Sequence, residues 1–322
     1  MKEKITELIK REISQIEASL QRLTISQHPF INQVSEYVLF SGGKKIRPLL
    51  CVLSAKSLNE NIRDHIYETS LLFEYLHVAT LLHDDVVDSA EFRRGRKAAR
   101  NLWGNQATIL VGDYLYAKAL RLASSLEKAE IMHAITETTL LMSEGEILQL
   151  LHLDDTYISE ASYEEIIFRK TAALLACSCK VGAILGGGTS SQIDGLANYG
   201  LKLGMAFQII DDLIDYTSTE TGKDLGKDFR EGKITIPVIF TLDSASEEEK
   251  KELISLLKKR DPSQQDFQRS VEIIERNGGF QKSFEKAKNF VSQAVESLET
   301  VPESAYKDAL LYIANYLLER KK

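Results

Sequence analysis

Three features of the sequence predict an all-α fold. Only five prolines occur in 322 residues, at Pro29, Pro48, Pro237, Pro262 and Pro302, which leaves room for long helices. Few segments alternate apolar and polar residues with the period of two that a half-buried strand needs. Apolar residues at helical spacing recur along the whole chain instead. No linker or low-complexity tract divides the chain, so the expectation is a single large helical bundle over residues 1–322.

The elements follow in order. Residues 2–23 read as an amphipathic helix with Ile5, Leu8, Ile9, Ile13, Ile16 and Leu20 on one side. A short helix over 30–40 stops at Ser41-Gly42-Gly43, and Pro48 suits the first turn of the next, over 48–58. A long helix over 62–89 ends in an acidic cluster and is followed by the basic turn Arg93-Arg-Gly-Arg-Lys97. Further helices are expected at 105–125, 128–152, 161–185, 191–216, 234–243, 246–259, 264–276, 279–299 and 303–320. Ser162-Tyr-Glu-Glu165 reads as a capping box for the helix at 161–185, and Gly186-Gly-Gly188 as its end. The polar, glycine-containing stretch 217–233 is expected to be a mobile loop.

Composition narrows the function. A net charge of −7 and a pI near 5.6 argue against a general nucleic-acid binder, so functional basic residues have to be local. Cys51, Cys177 and Cys179 lack zinc-ligand spacing and lie in apolar stretches; their odd number points to core thiols in a reducing compartment. The first residues carry no apolar signal core, and no run reaches the ~18 apolar residues that span a bilayer. The expectation is a cytoplasmic protein without stable membrane insertion.

The chemistry concentrates in two acidic clusters. Asp84, Asp85 and Asp88 sit in an otherwise apolar helix, and the pattern returns as Asp211, Asp212 and Asp215. Carboxylates that close repel one another, and an apolar setting adds a desolvation cost. A hard cation such as Mg²⁺ offsets both. At about 100° per residue, His77, Asp84 and Asp88 fall within about 40° of each other, with Thr80 and Phe73 beside them and Leu76 further round. Gln208, Asp211, Asp212 and Asp215 make a similar polar end on the second helix. Two such ends facing each other could hold several Mg²⁺ ions, which suits a diphosphate. Lys44, Arg47, Arg93, Arg94, Lys170, Lys223 and Lys233 are candidate phosphate contacts. There is no G-x-x-x-x-G-K-[ST] and no G-x-G-x-x-G, so a nucleotide fold is not indicated.

An ordered set of motifs resembles the all-trans isoprenyl diphosphate synthases of the polyprenyl synthetase family. The set is Gly42-Gly-Lys-Lys-Ile-Arg-Pro48, His77 with Leu82-His-Asp-Asp-Val-Val-Asp88, Arg93-Arg-Gly95, Gly112-Asp-Tyr114, Gly145-Glu146, Lys170-Thr-Ala172, Phe207-Gln-Ile-Ile-Asp-Asp-Leu-Ile-Asp215 and Gly222-Lys…Gly232-Lys233. It covers roughly residues 40–240. The resemblance implies an isoprenoid synthase fold, with two facing aspartate-rich helices around a central cavity, and a homodimer. It implies Mg²⁺, about three ions per active site, as cofactor. An allylic diphosphate would bind through Mg²⁺ to Asp84, Asp88 and Asp211, with Asp85, Asp212 and Asp215 supporting the metals. Arg93, Lys170, Lys223 and Lys233 would contact its oxygens. Isopentenyl diphosphate would be held without metal by Lys44, Arg47, His77 and Arg94. Thr171 and Gln208 would stabilise the allylic cation, a proton would leave to the departing diphosphate, and loop 217–233 would close over the site.

In such enzymes the residues upstream of the first motif set product length. Here the fifth and fourth positions before Asp84 are Ala79 and Thr80, both small, and the motif lacks a two-residue insertion. Leu76 and then Phe73, about 16 Å below Asp84, could form a deeper floor, with Leu140 or Leu141 added from the helix 128–152. The expectation is a long-chain, octaprenyl-like product, with geranylgeranyl and heptaprenyl as alternatives. A class I terpene cyclase and a catalytically silent synthase subunit fit less well, because no motif aspartate is missing. A metal phosphohydrolase built on His83-Asp84 lacks a second histidine at suitable spacing. Arg96 and Lys97 read as solvated turn charges, and Gly145-Glu146 as helix packing.

Overall fold

The fold comes from a computed structural model, which describes residues 2–23, 26–63, 65–153, 155–217, 226–259 and 261–319. Helices dominate, as the periodicity predicts: α1 (Lys2–Arg22), α2 (Pro29–Leu39), α3 (Ile46–Leu58), α4 (His65–Val87), α5 (Ala99–Ser124) and α6 (Ala129–Leu151). Then come α7 (Glu160–Ile167), a π turn (Phe168–Ala172), α8 (Ala173–Leu185), α9 (Ser190–Thr217) and α10 (Lys227–Arg230). The chain ends with α11 (Ile236–Ser244), α12 (Glu247–Leu257), α13 (Gln264–Arg276), α14 (Gly279–Glu296) and α15 (Ala305–Glu319). Among the described residues no helix is long and apolar enough to cross a membrane.

The chain divides into two compact units. The first is Met1–Glu137, Cys177–Leu196 and Thr300–Leu310; the second is Thr138–Ala176, Ala197–Glu299 and Leu311–Lys322. Four of the five boundaries fall inside α6, α8, α9 and α15, and the fifth lies between α14 and α15.

In the first unit α4 is the central element. Ile66, Leu71, Leu72, Phe73, Tyr75, Leu76, Val78, Ala79 and Leu82 are all buried, so the helix is apolar on nearly every side. It lies against α3 and α5. The α4–α5 approach depends on Gly112: a Cβ there would stand 2.4 Å from His83 Nε2. The His83 ring instead reaches the Ile109 carbonyl at 3.2 Å and the Asp113 carboxylate at 3.3 Å. Among the described residues of this unit two ion pairs are buried. Lys45 on the turn before α3 bonds Glu74 of α4 at 2.8 Å, and Glu12 of α1 bonds Lys56 of α3 at 2.9 Å and the Tyr67 hydroxyl at 2.7 Å. Removing one partner of such a pair strands the other charge in the core, at a cost of about 3–5 kcal/mol. Cys51, Cys177 and Cys179 are buried free thiols, as expected.

In the second unit the C-terminal helices are tied to the end of α9 by aromatic rings. Tyr216 lies 6.0 Å from both Phe267 and Phe280, and Phe229 of α10 lies 5.6 Å from Phe267. The C-terminal residues after α11 therefore pack as helices, in line with the sequence reading.

Four local expectations need correction. The helix expected at 161–185 is interrupted by the π turn at Phe168–Ala172. Its N-cap is Ser159, whose hydroxyl accepts the Ser162 N–H at 3.1 Å, so Ser162 lies inside the first turn rather than at a capping box. A true capping box forms at Ser263 and Asp266 instead. The basic turn is a two-stranded hairpin, Phe92–Arg93 against Arg96–Lys97. In the loop expected at 217–233, Thr217 is the last residue of α9 and Lys227–Arg230 is helical. Residues 218–225 lie outside the described residues.

Candidate active site

In the first unit the Gly42–Pro48 segment and the hairpin bring cations toward His77. Lys45 adopts a left-handed conformation at the start of α3 and sends its ammonium inward to Glu74 and the Leu39 carbonyl. Lys44 is left exposed. Arg94 sits in the tight turn of the hairpin, where its guanidinium donates to the Gly42 carbonyl and to Ser41 Oγ. It lies so close over Gly43 that a Cβ there would stand 2.9 Å from Nη1, and Gly43 has φ +112°. The glycine pair is thus a seat for Arg94. His77 is half-buried on α4. Burial, and then the charges of Arg47, Arg94, Lys45 and Arg93, hold its imidazole well below the ordinary histidine range. The ring is neutral at pH 7 and cations surround it, an environment suited to an anion. Of the residues predicted to hold isopentenyl diphosphate, Arg47, His77 and Arg94 are therefore brought together.

The first acidic motif ends α4. Asp84 is half-buried on the last turn, and Asp88 is exposed just beyond it, with its N–H bonded to the Asp84 carbonyl at 2.8 Å. Asp85 points the other way. It is 2% exposed and binds Arg93 through Nε at 2.7 Å and Nη2 at 2.6 Å. Upstream, Phe73, Leu76 and Ala79 are fully buried, and the Thr80 hydroxyl donates to the His77 carbonyl at 2.8 Å. Leu140 is 66% exposed, and Leu141 is half-buried.

The second unit holds an open cleft lined among others by Tyr163, Lys170, Thr171, Gln208, Asp212, Asp228 and Lys233. The π turn carries Lys170 and Thr171, an arrangement frequent where a helix serves a site. α6 approaches it at Gly145, where a Cβ would stand 2.7 Å from the Lys170 backbone nitrogen. The neighbouring Glu146 binds Lys170 Nζ at 2.7 Å, so this pair does more than pack helices.

Side chains then bond in series. Thr171 Oγ1 donates to Gln208 Oε1 at 3.0 Å, and Gln208 Nε2 donates to Asp212 Oδ1 at 2.8 Å. The Tyr163 hydroxyl donates to Asp212 Oδ2 at 2.6 Å. Burial pushes the Asp212 carboxyl well up, Asp228 and Asp211 add repulsion, and the two donors oppose them.

Asp215 is half-buried, and its carboxylate accepts the backbone N–H groups of Lys227 at 3.1 Å and Asp228 at 3.0 Å. It thereby caps α10. Burial, with Asp215 alongside, pushes the Asp228 carboxyl up to about 6. Lys233 binds Glu231 at 2.7 Å. Lys223 lies outside the described residues.

Asp85 is held by Arg93, Asp212 by Tyr163 and Gln208, and Asp215 by the α10 backbone. Among the described residues, no three His, Cys, Asp or Glu side chains converge as a ready-made metal site. Mg²⁺ needs none, since it takes one or two carboxylates and completes its shell with water and phosphate oxygens. The all-oxygen donors present fit that ion. Tyr163 and Asp228 line the same cleft without having been singled out from the sequence, and Glu146 was assigned only to helix packing. Tyr163 and Asp228 carry no motif signal, and only their contacts identify them.

The family model for "Polyprenyl synthetase" matches residues 28–274. Octaprenyl diphosphate synthase of Escherichia coli is 33% identical over 322 residues, covering 99% of both chains. Short chain isoprenyl diphosphate synthase of Methanothermobacter thermautotrophicus is 37% identical over 295 residues, covering 90% of both. The crystal structure of a polyprenyl synthase from Caulobacter crescentus, complexed with calcium and isoprenyl diphosphate, superposes with a TM-score of 0.91 at 33% identity. That match covers 99% of this chain and 98% of the other.

Asp228 has a consequence for stability. A carboxyl lifted to about 6 by folding is favoured as the acid in the folded state, so its stabilising contribution is complete below about pH 4. That contribution, on the order of 3 kcal/mol, is lost as pH rises through about 6. In metal-free protein, Asp228→Asn removes this downward slope, which urea denaturation between pH 4.5 and 7 measures. A parallel pH dependence in wild type and variant refutes it.

Proposed function

The chain belongs to the polyprenyl synthetase family and is a trans-prenyltransferase that condenses isopentenyl diphosphate with an allylic diphosphate, and we propose that Asp84, Asp88 and Asp211 are its Mg²⁺ ligands. Catalysis in it depends on a divalent metal. We propose about three Mg²⁺ ions per site, which when bound draw charge from the diphosphate and make it a leaving group. Lys170, Lys233, Lys223 and Arg93 add positive charge around the same diphosphate and orient it for carbon–oxygen cleavage. Asp85, Asp212 and Asp215 act through the groups they hold, namely Arg93, Gln208 and the backbone of α10. Thr171 and Gln208 direct oxygen lone pairs at the allylic cation.

Lys44, Arg47 and Arg94 hold isopentenyl diphosphate with neutral His77 as a hydrogen-bonding partner, and its double bond attacks the cation. A proton then leaves to the departing diphosphate. The observation that carries this reading is the crowd of cations around a neutral His77, which suits a second diphosphate bound without metal.

We propose a long-chain, octaprenyl-like product. The small side chains of Ala79 and Thr80 support it, as does the octaprenyl relative, although the short-chain relative is no less similar. Relatives that match from end to end support reading residues 1–322 as one domain. Exposed apolar residues support a homodimer: Ile109 and Leu110 on α5, and Leu140, Ile147 and Leu151 at i, i+7 and i+11 on α6.

Pure protein with farnesyl diphosphate, labelled isopentenyl diphosphate and Mg²⁺ should make elongated product; none at any protein concentration would sink the reading. Asp84→Ala should abolish turnover with an unchanged circular dichroism spectrum, and near-normal activity contradicts the metal role. Ala79→Tyr should shorten the extracted product; an unchanged distribution places Ala79 in ordinary core. Light scattering should give twice the 36.2 kDa chain mass, and a monomer in active enzyme removes the homodimer.

A further inference from the structure

Tyr163 enters none of these steps, yet its hydroxyl ends the series of hydrogen bonds that begins at Thr171. We propose that Tyr163 is a positioning residue for the carbocation step, acting through Asp212 to fix which way the Gln208 carboxamide and the Thr171 hydroxyl point. This rests on the reading that Thr171 and Gln208 stabilise the allylic cation.

The direction of every bond in the series follows from one acceptor. The Gln208 NH₂ group faces Asp212 Oδ1 at 2.8 Å and donates to it, while the Tyr163 hydroxyl takes the carboxyl's other oxygen. The amide oxygen then lies on the other side and takes the hydrogen of Thr171 Oγ1 at 3.0 Å. Thr171 keeps its lone pairs, rather than its hydrogen, for the cleft. With the amide reversed, the two N–H hydrogens would face Thr171, whose hydrogen would swing toward the cleft and oppose a cation. The sign of the dipole at the reacting carbon thus depends on how Asp212 is anchored.

Gln208 alone anchors it at one oxygen. Tyr163 anchors the other, at the short distance of 2.6 Å. Asp212 and Tyr163 are both 4% exposed, so water is a poor substitute. Burial and the adjacent Asp212 hold the Tyr163 hydroxyl far above its ordinary range, so it remains a donor across the working pH range. The tyrosine is itself well placed for this: α7 is fixed at its start by the Ser159 cap and runs directly into the π turn that carries Lys170 and Thr171. Without the Tyr163 hydroxyl, the carboxylate turns about its Cβ–Cγ bond and the amide loses its preferred sense. The expected consequence is a poorly stabilised cation that water captures, giving the allylic alcohol and a proton in place of condensation.

The test uses full-length Tyr163→Phe with farnesyl diphosphate, isopentenyl diphosphate and Mg²⁺. The expected result is a kcat about tenfold lower and a higher ratio of farnesol to elongated product, with KM for isopentenyl diphosphate and half-saturating Mg²⁺ unchanged. A variant with lower Tm but wild-type kcat and ratio shows a merely structural tyrosine and overturns the proposal. So does a rise in half-saturating Mg²⁺, which would make Asp212 act through the metal. Should Tyr163→Phe fail to fold, the isosteric Asp212→Asn carries the same readouts, with the same expected and overturning results. A wild type that ionises farnesyl diphosphate without elongating it defeats the underlying reading instead. Elongation by wild type with no change in the variant defeats this inference alone.

Discussion

Crowding like charges together, out of bulk water and within reach of one another, is what this structure has to accomplish, and its helices are arranged to meet that cost. Cations gather around His77 in the first unit, and carboxylates gather at Asp211, Asp212, Asp215 and Asp228 in the second. Neither cluster is self-stabilising, because desolvation and repulsion act in the same direction. Each is held by groups that do no chemistry. Lys45 is drawn inward by Glu74, the Gly42–Gly43 turn seats Arg94, and the α10 backbone satisfies Asp215.

The same constraint gives three of the six motif aspartates a structural task. Asp85, Asp212 and Asp215 already have donors on their oxygens and shape their surroundings: an arginine, an amide and a helix start. Asp84 and Asp88 sit at the open end of α4, where a metal could reach them. The spacing of three aspartates in five residues therefore serves two purposes. One turn apart, the first and last share a face, while the middle one points into the protein and fastens a neighbouring element.

Long helices were legible because 3.6-residue periodicity in an apolar chain is a strong signal, and most ends agree with the sequence reading within a few residues. The misread features share a cause. The π turn at Phe168–Ala172 has no propensity signature; it forms where α6 approaches at Gly145 and where Lys170 meets Glu146. Ser159 rather than Ser162 caps α7, because either serine suits a cap and packing of the following turn chooses between them. α10 looked like loop because a four-residue helix needs an outside acceptor, and Asp215 supplies it.

The sequence by itself determined the fold class, the two acidic motifs and the basic residues around them, since these depend on residue type and spacing along single helices. What Asp85, Asp212 and Asp215 bind, that Lys45 turns inward while Lys44 stays exposed, that Tyr163 and Asp228 line the cleft and that Glu146 binds Lys170 were decided only by tertiary structure. Several of these are contacts across long separations, such as Lys170 with Glu146, 24 positions apart, and Tyr163 with Asp212, 49 apart. Hydrogen-bond geometry and desolvation act through space, and at such separations the chain carries no local pattern that reports them.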